Sequence, residues 1–447
     1  MQKALIARGM RDFLPEAMRR RRRVIEILSA VFERFGFEPV ETPALERLET
    51  LEGKYGEESD RLIYRVLKRG QGGEEGESDL GLRYDLTVPL ARLVAMNPDL
   101  PLPFRRWQIQ PVWRADRPQR GRYREFLQCD VDVVGSSSPV ADAECIAVVD
   151  AALTALDLGE FEIRVNHRRV LRAMADVTGV GHKETDVLVA LDKIERVGRE
   201  GVDAEWAARG LPPRATARLW ALLDLAPAAA RPLDALAALE PALSEEGRAA
   251  VRDLERILHL VGALGVPEAR IRFDPTLARG LDYYTGAVFE TVVVAPRIGS
   301  LSGGGRYDRL VGTFLGRDIP AVGVSLGLER ILAVIEEAGT LGGPTAPARV
   351  LVAALDDACL PAALEASARF RAAGQSTWVA PEPLPMKKAL RQADRRRIPF
   401  AAVVGPDEAA AGTTFLRRMA DGAQWVLPAA DLLPHLEAGP PTPDATG

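Results

Sequence analysis

The stretch from Phe104 to Gly135 constrains the fold of this chain more than any other part of the sequence. It reads FRRWQIQPVWRADRPQRGRYREFLQCDVDVVG, two strand-like patterns on either side of a polar turn. The turn places Pro118 and Gly121 where a hairpin needs such residues. The sequence therefore predicts two strands joined by a hairpin turn.

The same stretch carries a strong local positive charge. Between Arg105 and Arg124 there are seven arginines and one acidic residue, a local net charge of about +6. One guanidinium group can bind two phosphate oxygens at once through its parallel N–H groups. This density of arginines therefore suits a polyphosphate or an RNA backbone. The whole chain has a formal net charge of −5, which excludes a uniformly basic surface but leaves local basic patches open.

The strand after the turn places polar side chains on one face. Phe126, Gln128, Asp130 and Asp132 share that face because side chains alternate along a strand. Three polar groups beside a cationic hairpin describe a ligand pocket. A strand with one solvent-facing side gives the same alternation, and the pattern alone does not decide between the two.

Three further motifs interrupt apolar patterns: RGLDYYTG at Arg279–Gly286, SGGGRYD at Ser302–Asp308 and AVGVSLGLERIL at Ala321–Leu332. The first suits either a site or an edge strand whose tyrosines pack. The glycines of the second suit either close approach to a ligand or a hairpin turn. The third predicts Arg330 in the first turn of a helix, where anions are favoured, although an exposed helical arginine is the commoner case. The sequence contains no Walker or Rossmann motif, so arginines on a sheet would have to bind any ATP.

The length of 447 residues predicts about three domains. An Ala/Leu/Arg-rich helical stretch separates two strand-rich segments, and GTLGGPTAPA has the composition of a linker. Beyond it, strand-like patterns at Val350–Ala354, Ser376–Ala380 and Ala401–Gly405 alternate with helical segments, which predicts a small α/β domain. The sequence predicts a strand-rich domain in two parts, 1–167 and 266–338, with a helical insertion between them at 168–265. A linker at 339–348, an α/β domain at 349–438 and a disordered tail at 439–447 follow.

Several classes of protein are excluded. No apolar run approaches the ~20 residues that span a bilayer, and the N-terminus lacks an apolar signal region, so we expect a cytoplasmic protein without a membrane partner. The three cysteines form no Cys-x-x-Cys pair and the four histidines are scattered. A disulfide framework and a zinc site are therefore not expected, and no metal-binding residues are predicted.

Taken together, the motifs resemble those of class II aminoacyl-tRNA synthetases, and specifically those of the histidyl-tRNA synthetase family. GMRDFLPE, EPVETP with Pro43, LRYDLTVPLAR, RADRPQRGRYREFLQCDVD, RGLDYYTG, GGGRYD and GLERIL follow the family's order. RGLDYYTG is the most specific motif, since it is peculiar to the histidine enzymes. The resemblance runs from about Gly9 to Leu433 and is looser after the linker.

The resemblance implies an α+β fold in which helices flank an antiparallel sheet, with a helical insertion and a C-terminal α/β anticodon-binding domain. It implies dimerisation through the segment around Pro43. The implied activity is formation of histidyl-adenylate from L-histidine and ATP, followed by transfer to the 3′ end of tRNA-His. Mg²⁺ would be bound by the ATP phosphates, without a dedicated protein site.

The resemblance also implies roles for residues at the ATP end of the site. Arg114 would hold the α-phosphate of a bent ATP and Arg330 the γ-phosphate side. Glu125 would lie near the adenine. Arg279 would reach the α-phosphate from the opposite side, and Arg279 and Arg114 would act in catalysis.

The implied histidine site combines charged, amide and phenol groups. Asp85, Thr87 and Gln128 would surround the α-amino and carboxylate groups. Asp132 and Tyr284 would bracket the imidazole, because a carboxylate and a phenol supply an acceptor and a donor together. The two remaining histidine-binding candidates are Tyr283 and Tyr307.

The turn of the hairpin is the implied contact with the tRNA acceptor end. Arg117 and Gln119 would meet the extra 5′ guanosine of tRNA-His, and Arg122 would contact the backbone. The alternative is that these arginines bind phosphate without reading the base.

Two departures from the family pattern remove no charge from the site: Ala115 replaces the polar or basic residue usual after Arg114, and Asp85 replaces the glutamate of many bacterial members. The alternative function is a non-catalytic paralogue that serves as a regulatory subunit of ATP phosphoribosyltransferase. Such paralogues tend to lose the arginine of RGLDYYTG and the anticodon-binding domain, both of which the sequence retains.

Overall fold

The computed structural model of the chain describes residues 4–54, 60–67, 78–118, 121–226, 231–278, 283–296, 298–341 and 346–437. The chain divides into two compact units. The first comprises Met1–Asp12 and Arg23–Leu341, and the second comprises Phe13–Arg22 and Gly342–Gly447.

The elements up to Leu341 alternate between strand-rich and helical segments. The helices are α1 (Pro15–Arg34), α2 (Leu48–Leu51), α3 (Thr87–Met96), α4 (Pro139–Ala155), α5 (Arg168–Val177), α6 (Glu184–Leu191), α7 (Ile194–Ala208), α8 (Pro213–Leu223), α9 (Pro232–Leu239), α10 (Glu245–Ala263), α11 (Gly312–Leu315) and α12 (Leu328–Ala338). The strands are β1 (Glu38–Pro39), β2 (Leu45–Arg47), β3 (Tyr64–Leu67), β4 (Ser78–Leu82), β5 (Phe104–Trp113), β6 (Glu125–Val134), β7 (Phe161–His167), β8 (Ile271–Phe273), β9 (Ala287–Val293), β10 (Ser300–Arg306) and β11 (Ala321–Gly327).

Within the described ranges, eight of these strands form one sheet in the order β1-β5-β6-β11-β10-β9-β7-β8. The two outer pairs, β1 with β5 and β7 with β8, are parallel. The inner neighbours are antiparallel, and β2, β4 and β3 form a separate small sheet. This arrangement confirms the predicted antiparallel sheet flanked by helices.

The predicted hairpin is confirmed as strands β5 and β6, whose register runs from Phe104 opposite Val134 to Trp113 opposite Glu125. The inner half of β6, from Cys129 to Val134, is buried on both faces of the sheet. Polar groups on this half therefore face protein, and the solvent-facing interpretation of the alternating pattern is wrong for Asp130 and Asp132.

Helices α1, α4 and α10 pack on the apolar face of the sheet. Leu28 and Phe32 of α1, Ile146 of α4 and Val131 of β6 belong to one continuous core. Helix α4 begins at Pro139, where the Ser138 side chain accepts a hydrogen bond from the Val140 N–H. The opposite face carries the polar side chains of β6 and, at one end, a second apolar cluster that joins Val134 to Leu90 of α3.

The Ala/Leu/Arg-rich stretch forms helices α5–α10 between β7 and β8, as predicted. Trp206 and Trp220 pack with ring centroids 5.1 Å apart, and the indole N–H of Trp206 donates to the Val187 carbonyl at 3.1 Å. These helices share the core of the sheet domain.

The glycines of SGGGRYD lie inside strand β10, so the hairpin turn, one of the two interpretations that the sequence left open, is wrong. A Cβ at Gly304 would stand 2.3 Å from the Gly323 carbonyl oxygen and 2.8 Å from the Val324 Cα. Real Cβ atoms never make contacts this short. Strands β10 and β11 can lie this close together because Gly304 has no side chain. The glycines are needed for packing within the sheet.

The second unit contains a five-stranded sheet in the order β13-β12-β14-β15-β16. The predicted strands appear as β12 (Val350–Ala354), β13 (Thr377–Val379) and β14 (Phe400–Val404), all parallel. Two antiparallel strands, β15 (Thr414–Arg418) and β16 (Gln424–Leu427), were not predicted. The helices of this unit are α13 (Leu360–Ala372), α14 (Met386–Arg395), α15 (Pro406–Ala411) and α16 (Leu433–Glu437).

The small α/β domain is thus confirmed. The predicted disordered tail, 439–447, lies outside the described residues. Among the helices that the structure describes, none is both long enough and apolar enough to cross a bilayer.

Candidate active site

A polar cavity of about 550 Å³ opens on the face of the large sheet opposite the helical core. This volume is within the range that small-molecule sites occupy. Its lining comes from β6, β10, β11, the first turn of α12, the hairpin turn, the segment before β9 and Asp192 of the helical insertion. It includes Arg114, Gln128, Tyr283, Ser325 and Arg330. The structure thus brings together residues from four of the motifs singled out in the sequence.

The inward face of β6 forms the floor next to this cavity. Gln128 lies opposite Gly327 of β11, Asp130 opposite Ser325 and Asp132 opposite Gly323. The Gln128 Nε2 donates to the Ser325 Oγ at 3.1 Å. The Oε1 of Gln128 is buried without a hydrogen-bond partner among the described residues, so it is available to a ligand.

One buried guanidinium lies between the two carboxylates of β6. The NH2 of Arg106 is 2.8 Å from the Asp132 Oδ2 and 3.7 Å from the Asp130 Oδ2. Arg106 is fully buried, and both aspartates are at most 3 % exposed. Removal from water raises the pKa of both carboxyl groups, that of Asp130 to about 7, and Arg106 opposes the rise.

Three tyrosines border this charged cluster. The Tyr283 and Tyr284 ring centroids are 4.2 Å apart, and those of Tyr283 and Tyr307 are 6.2 Å apart. The Tyr307 hydroxyl donates to the Asp132 Oδ1. Burial raises the pKa of the Tyr307 phenol, so the phenol keeps its proton and remains a donor.

Tyr284 approaches the sheet at a glycine. A Cβ at Gly305 would lie 3.0 Å from the Tyr284 ring and 2.6 Å from the Ala287 carbonyl oxygen. The lack of a side chain at Gly305 therefore leaves room for the Tyr284 ring to lie close to the strand. Tyr283 and Tyr284 precede β9 and are not part of a strand, so the edge-strand interpretation of RGLDYYTG is wrong for them.

Asp85 and Thr87 lie where helix α3 begins. Asp85 is buried, and its Oδ1 accepts a hydrogen bond from the Val88 N–H at 3.2 Å. Thr87 is the first residue of the helix and is half-buried. The start of the helix therefore holds the Asp85 carboxylate in place. The negative charge of this carboxylate contributes to the raised pKa of Asp130.

The other end of the cavity carries arginines. The Arg114 Nε donates to the Tyr84 carbonyl at 2.8 Å, and its guanidinium lies over the Phe126 ring. The Arg330 NH1 donates to the Ser300 carbonyl at 2.6 Å. Both side chains donate a hydrogen bond to a backbone carbonyl while they line the cavity, and two guanidinium groups there favour an anion.

The remaining residues of the hairpin are more exposed. Arg122 lines the cavity and pairs with Asp116 at 3.0 Å. Arg117 is exposed, and so is Glu125, the first residue of β6, which is not among the residues that line the cavity. Arg279 and Gln119 lie outside the described residues.

The N-terminal segment contacts the hairpin, which the sequence did not predict. The Arg124 N–H donates to the Gly9 carbonyl at 2.9 Å. The Arg11 guanidinium lies 3.3 Å from the Tyr123 ring centroid and pairs with Glu329. Tyr123 and Glu329 both line the cavity, so Arg11 connects the hairpin to the start of α12.

Arg106 and Asp130 are the other residues that received no role from the sequence. Counting outward from the turn places Arg106 opposite Asp132, so the pairing could have been found from the hairpin register. The described residues contain no group of three His, Cys, Asp or Glu side chains that could hold a metal ion.

Comparison with known families agrees with this geometry. A family model described as histidyl-tRNA synthetase matches residues 9–331, and one described as anticodon binding domain matches residues 349–438. A histidine–tRNA ligase from Cytophaga hutchinsonii is 40 % identical over 442 residues, covering 95 % of this chain and 97 % of that protein.

Solved structures are similar over most of the chain. The crystal structure of histidyl-tRNA synthetase from Nostoc sp. PCC 7120 matches with a TM-score of 0.85 at 33 % identity, covering 98 % of this chain and 99 % of that chain. An ATP phosphoribosyltransferase regulatory subunit/histidyl-tRNA synthetase from Bacillus halodurans C matches with a TM-score of 0.72 at 26 % identity, covering 89 % and 96 %. By its catalytic and anticodon-binding matches and its near-full-length relatives, the chain belongs to the histidyl-tRNA synthetase family.

Proposed function

We propose that the chain is a histidine–tRNA ligase of class II. It joins L-histidine to ATP, forms histidyl-adenylate and pyrophosphate, and passes the histidyl group to the 3′ end of tRNA-His. One observation carries the proposal: a single cavity is lined by Arg114 and Arg330 and by Tyr283 and Tyr284, and the buried carboxylates of β6 lie next to it. These two sets of residues suit a polyphosphate and a cationic, ring-bearing amino acid.

At the ATP end, Arg114 and Arg330 hold the phosphates of a bent ATP. The resemblance assigns the α-phosphate to Arg114 and the γ-phosphate side to Arg330. In support, both guanidinium groups line the cavity, and each donates a hydrogen bond to a backbone carbonyl. Glu125 is the proposed neighbour of the adenine. Arg279 stabilises the charge that develops at the α-phosphate when the histidine carboxylate attacks.

At the histidine end, Asp85, Thr87 and Gln128 bind the α-amino and carboxylate groups. The free Oε1 of Gln128 supports this role. The resemblance assigns the two ring nitrogens to Asp132 and Tyr284, with Tyr283 and Tyr307 beside them. A site of paired polar groups rejects analogues without ring nitrogens, since it would be left unsatisfied.

Mg²⁺ is proposed as part of the ATP substrate, bound by its phosphates. The segment around Pro43 is proposed as the dimer interface. Arg117, Gln119 and Arg122 are proposed to meet the acceptor end of the tRNA, and residues 349–438 its anticodon stem-loop. A ligase with these substrates works in the cytoplasm.

The proposed domain boundaries separate the segments that carry these proposed functions. The segments 1–167 and 266–338 form the catalytic domain, 168–265 the insertion, 339–348 the linker and 349–438 the anticodon-binding domain. Strands β7 and β8 support the insertion boundaries, because they pair in parallel on either side of the helical segment.

The alternative is a regulatory subunit of ATP phosphoribosyltransferase. It has weaker support, because the sequence keeps Arg279 and the anticodon-binding match. An ATP–pyrophosphate exchange assay with histidine decides between the two, with the other amino acids as controls. We expect exchange that depends on histidine alone. Stimulation of an ATP phosphoribosyltransferase without any exchange would establish the alternative.

A further inference from the structure

The N-terminal segment, residues 7–12, lies on the hairpin turn, and the proposed function gives it no role. The Arg124 N–H donates to the Gly9 carbonyl at 2.9 Å. Gly9 has a φ of +86°, and a Cβ at this position would lie 2.8 Å from the Cγ atoms of Arg124 and Pro118. The segment therefore touches the hairpin directly, at a position whose backbone conformation and close contacts require glycine.

Arg11 of this segment joins two parts of the cavity wall. Its guanidinium carbon lies 3.3 Å from the centroid of the Tyr123 ring, as in a cation–π contact, and its Nη2 pairs with the Glu329 carboxylate. Tyr123 belongs to the hairpin turn and Glu329 to the first turn of α12, and both line the cavity. Arg11 is not among the described residues that line it, so Arg11 acts on the cavity through its neighbours.

Glu329 places a negative charge beside the proposed phosphate site. Its side chain is 6 % exposed, whereas that of Arg11 is 32 % exposed, so the carboxylate is shielded from water. Arg330, the next residue of α12, lines the same cavity and is the proposed contact of the γ-phosphate side. A carboxylate in this place repels the phosphates of ATP and competes with them for the Arg330 guanidinium, and poor access to water strengthens both effects.

The neighbouring surface of α12 adds to this negative charge. Glu336 and Glu337 line an adjoining cavity of about 430 Å³ together with Glu329 and Tyr123. Three carboxylates of one helix thus lie near the ATP end of the site. Arg11 brings a positive charge to Glu329, the one of the three that also lines the ATP cavity.

Resting on the proposed function, we propose that Arg11 is a positioning residue for ATP. It neutralises the Glu329 carboxylate and holds the hairpin turn beside α12, so that the Arg330 guanidinium remains available to the phosphates. Loss of its charge weakens ATP binding and leaves histidine binding unchanged, because the proposed histidine contacts of Asp85 and Asp132 belong to other elements.

The test measures the KM for ATP and the KM for histidine in the histidine-dependent exchange reaction. Arg11→Gln keeps a polar side chain without the charge. We expect it to raise the KM for ATP roughly tenfold, between the screened and unscreened limits for two neighbouring charges. Arg11→Lys keeps the charge and should raise this KM less than about threefold. The KM for histidine should change less than about twofold in both variants, because the contact that is removed serves ATP.

A double-mutant cycle separates this role from a merely structural one. In the Glu329→Gln background there is no carboxylate to neutralise, so Arg11→Gln should then change the KM for ATP less than about twofold. An equal increase in both backgrounds would mean that Arg11 acts independently of Glu329, and would overturn the proposal. Arg231→Gln is the matched control and should leave both KM values unchanged, since Arg231 forms an exposed ion pair with Glu268 and lines neither of these two cavities.

The position of the segment is tested separately by Gly9→Ala, whose Cβ would push the segment away from Arg124 and Pro118. Gly36→Ala is its control, because Gly36 also has a positive φ, of +73°, but nothing lies within 4 Å of its Cβ. Gly9→Ala should raise the KM for ATP, and Gly36→Ala should not. An unchanged KM for ATP in Gly9→Ala would contradict the proposal, and this pair replaces Arg11→Gln if that variant does not fold.

Calorimetric titration of ATP with Mg²⁺ requires no catalysis and keeps the two proposals apart. Absence of histidine-dependent exchange in the wild type would contradict the ligase proposal. Equal ATP affinities of the wild type and Arg11→Gln would contradict the role of Arg11.

Discussion

Arg106 is the residue on which the buried charge of the site depends. Its side chain is fully buried and forms ion pairs with the carboxylates of Asp130 and Asp132. It also donates a hydrogen bond to the Gln108 Oε1 at 3.2 Å. Breaking such a buried group by removing one partner typically costs about 3–5 kcal/mol, because uncompensated charge remains. The cluster therefore holds the polar floor of the site in one arrangement before substrate enters.

Arg279→Ala should nearly abolish adenylation. A preorganised cation directed at developing charge contributes roughly 10²–10³ in rate, whereas the affinities for ATP and histidine should change far less. Single-turnover formation of histidyl-adenylate measures this directly, with equilibrium binding of ATP as the control. A wild-type rate of histidyl-adenylate formation in Arg279→Ala would show that Arg279 is not a catalytic residue.

The raised pKa of Asp130 predicts that stability falls as the pH rises. The folded state keeps a proton on Asp130 up to about pH 7, whereas the unfolded chain releases it near pH 4. The stabilisation is therefore complete below pH 4 and is lost between pH 4 and 7, at a rate of up to about 1.4 kcal/mol per pH unit.

The measurement is urea unfolding at pH 5 and pH 7, at one protein concentration, for wild type and Asp130→Asn. The variant should show a shallower loss of unfolding free energy over this interval, because it lacks the group that titrates. Equal slopes for the two proteins would mean that Asp130 is ionised in the folded state throughout.

At the scale of elements, local patterns were sufficient wherever one face of an element is apolar. The strands of the hairpin and of the α/β unit lie where expected. The glycines of β10 and the burial of Asp130 could not be predicted in this way. Both depend on which strands become neighbours in the sheet, and that is decided by residues far apart in the chain.

The close approach of β10 and β11 predicts that Gly304→Ala is strongly destabilising. Its Cβ would meet the Gly323 carbonyl at 2.3 Å and the Phe289 ring at 2.6 Å, and a central strand cannot move without disturbing the site. Overpacking typically costs about 1–3 kcal/mol. Gly262→Ala is the matched control, since nothing lies within 4 Å of its Cβ and helix α10 favours alanine.

Thermal unfolding and histidine-dependent exchange should both be impaired in Gly304→Ala and unchanged or improved in Gly262→Ala. Equal stability of the two variants would show that the strands can separate at little cost.

At the scale of the whole molecule, each of the two units carries its own chemistry. The cavity is lined by the first unit alone. In the second unit, α14 packs through Ala389 and Ala393 and leaves Lys387, Lys388 and Arg391 exposed. A basic helix face of this kind fits an RNA backbone, although a solvated amphipathic helix has the same pattern.

Ending the chain at Leu341 should therefore separate the two half-reactions. The adenylation pocket is complete before that residue, so histidine-dependent exchange should persist if the sheet domain still assembles. Transfer to tRNA should weaken because the basic face of α14 is lost. The full-length double variant Lys387→Glu/Lys388→Glu is the matched control: it should keep exchange, raise the KM for tRNA and lower the salt dependence of tRNA binding, because fewer phosphates are neutralised. If the shortened chain and the full chain charge tRNA equally well, the second unit does not bind the anticodon stem-loop.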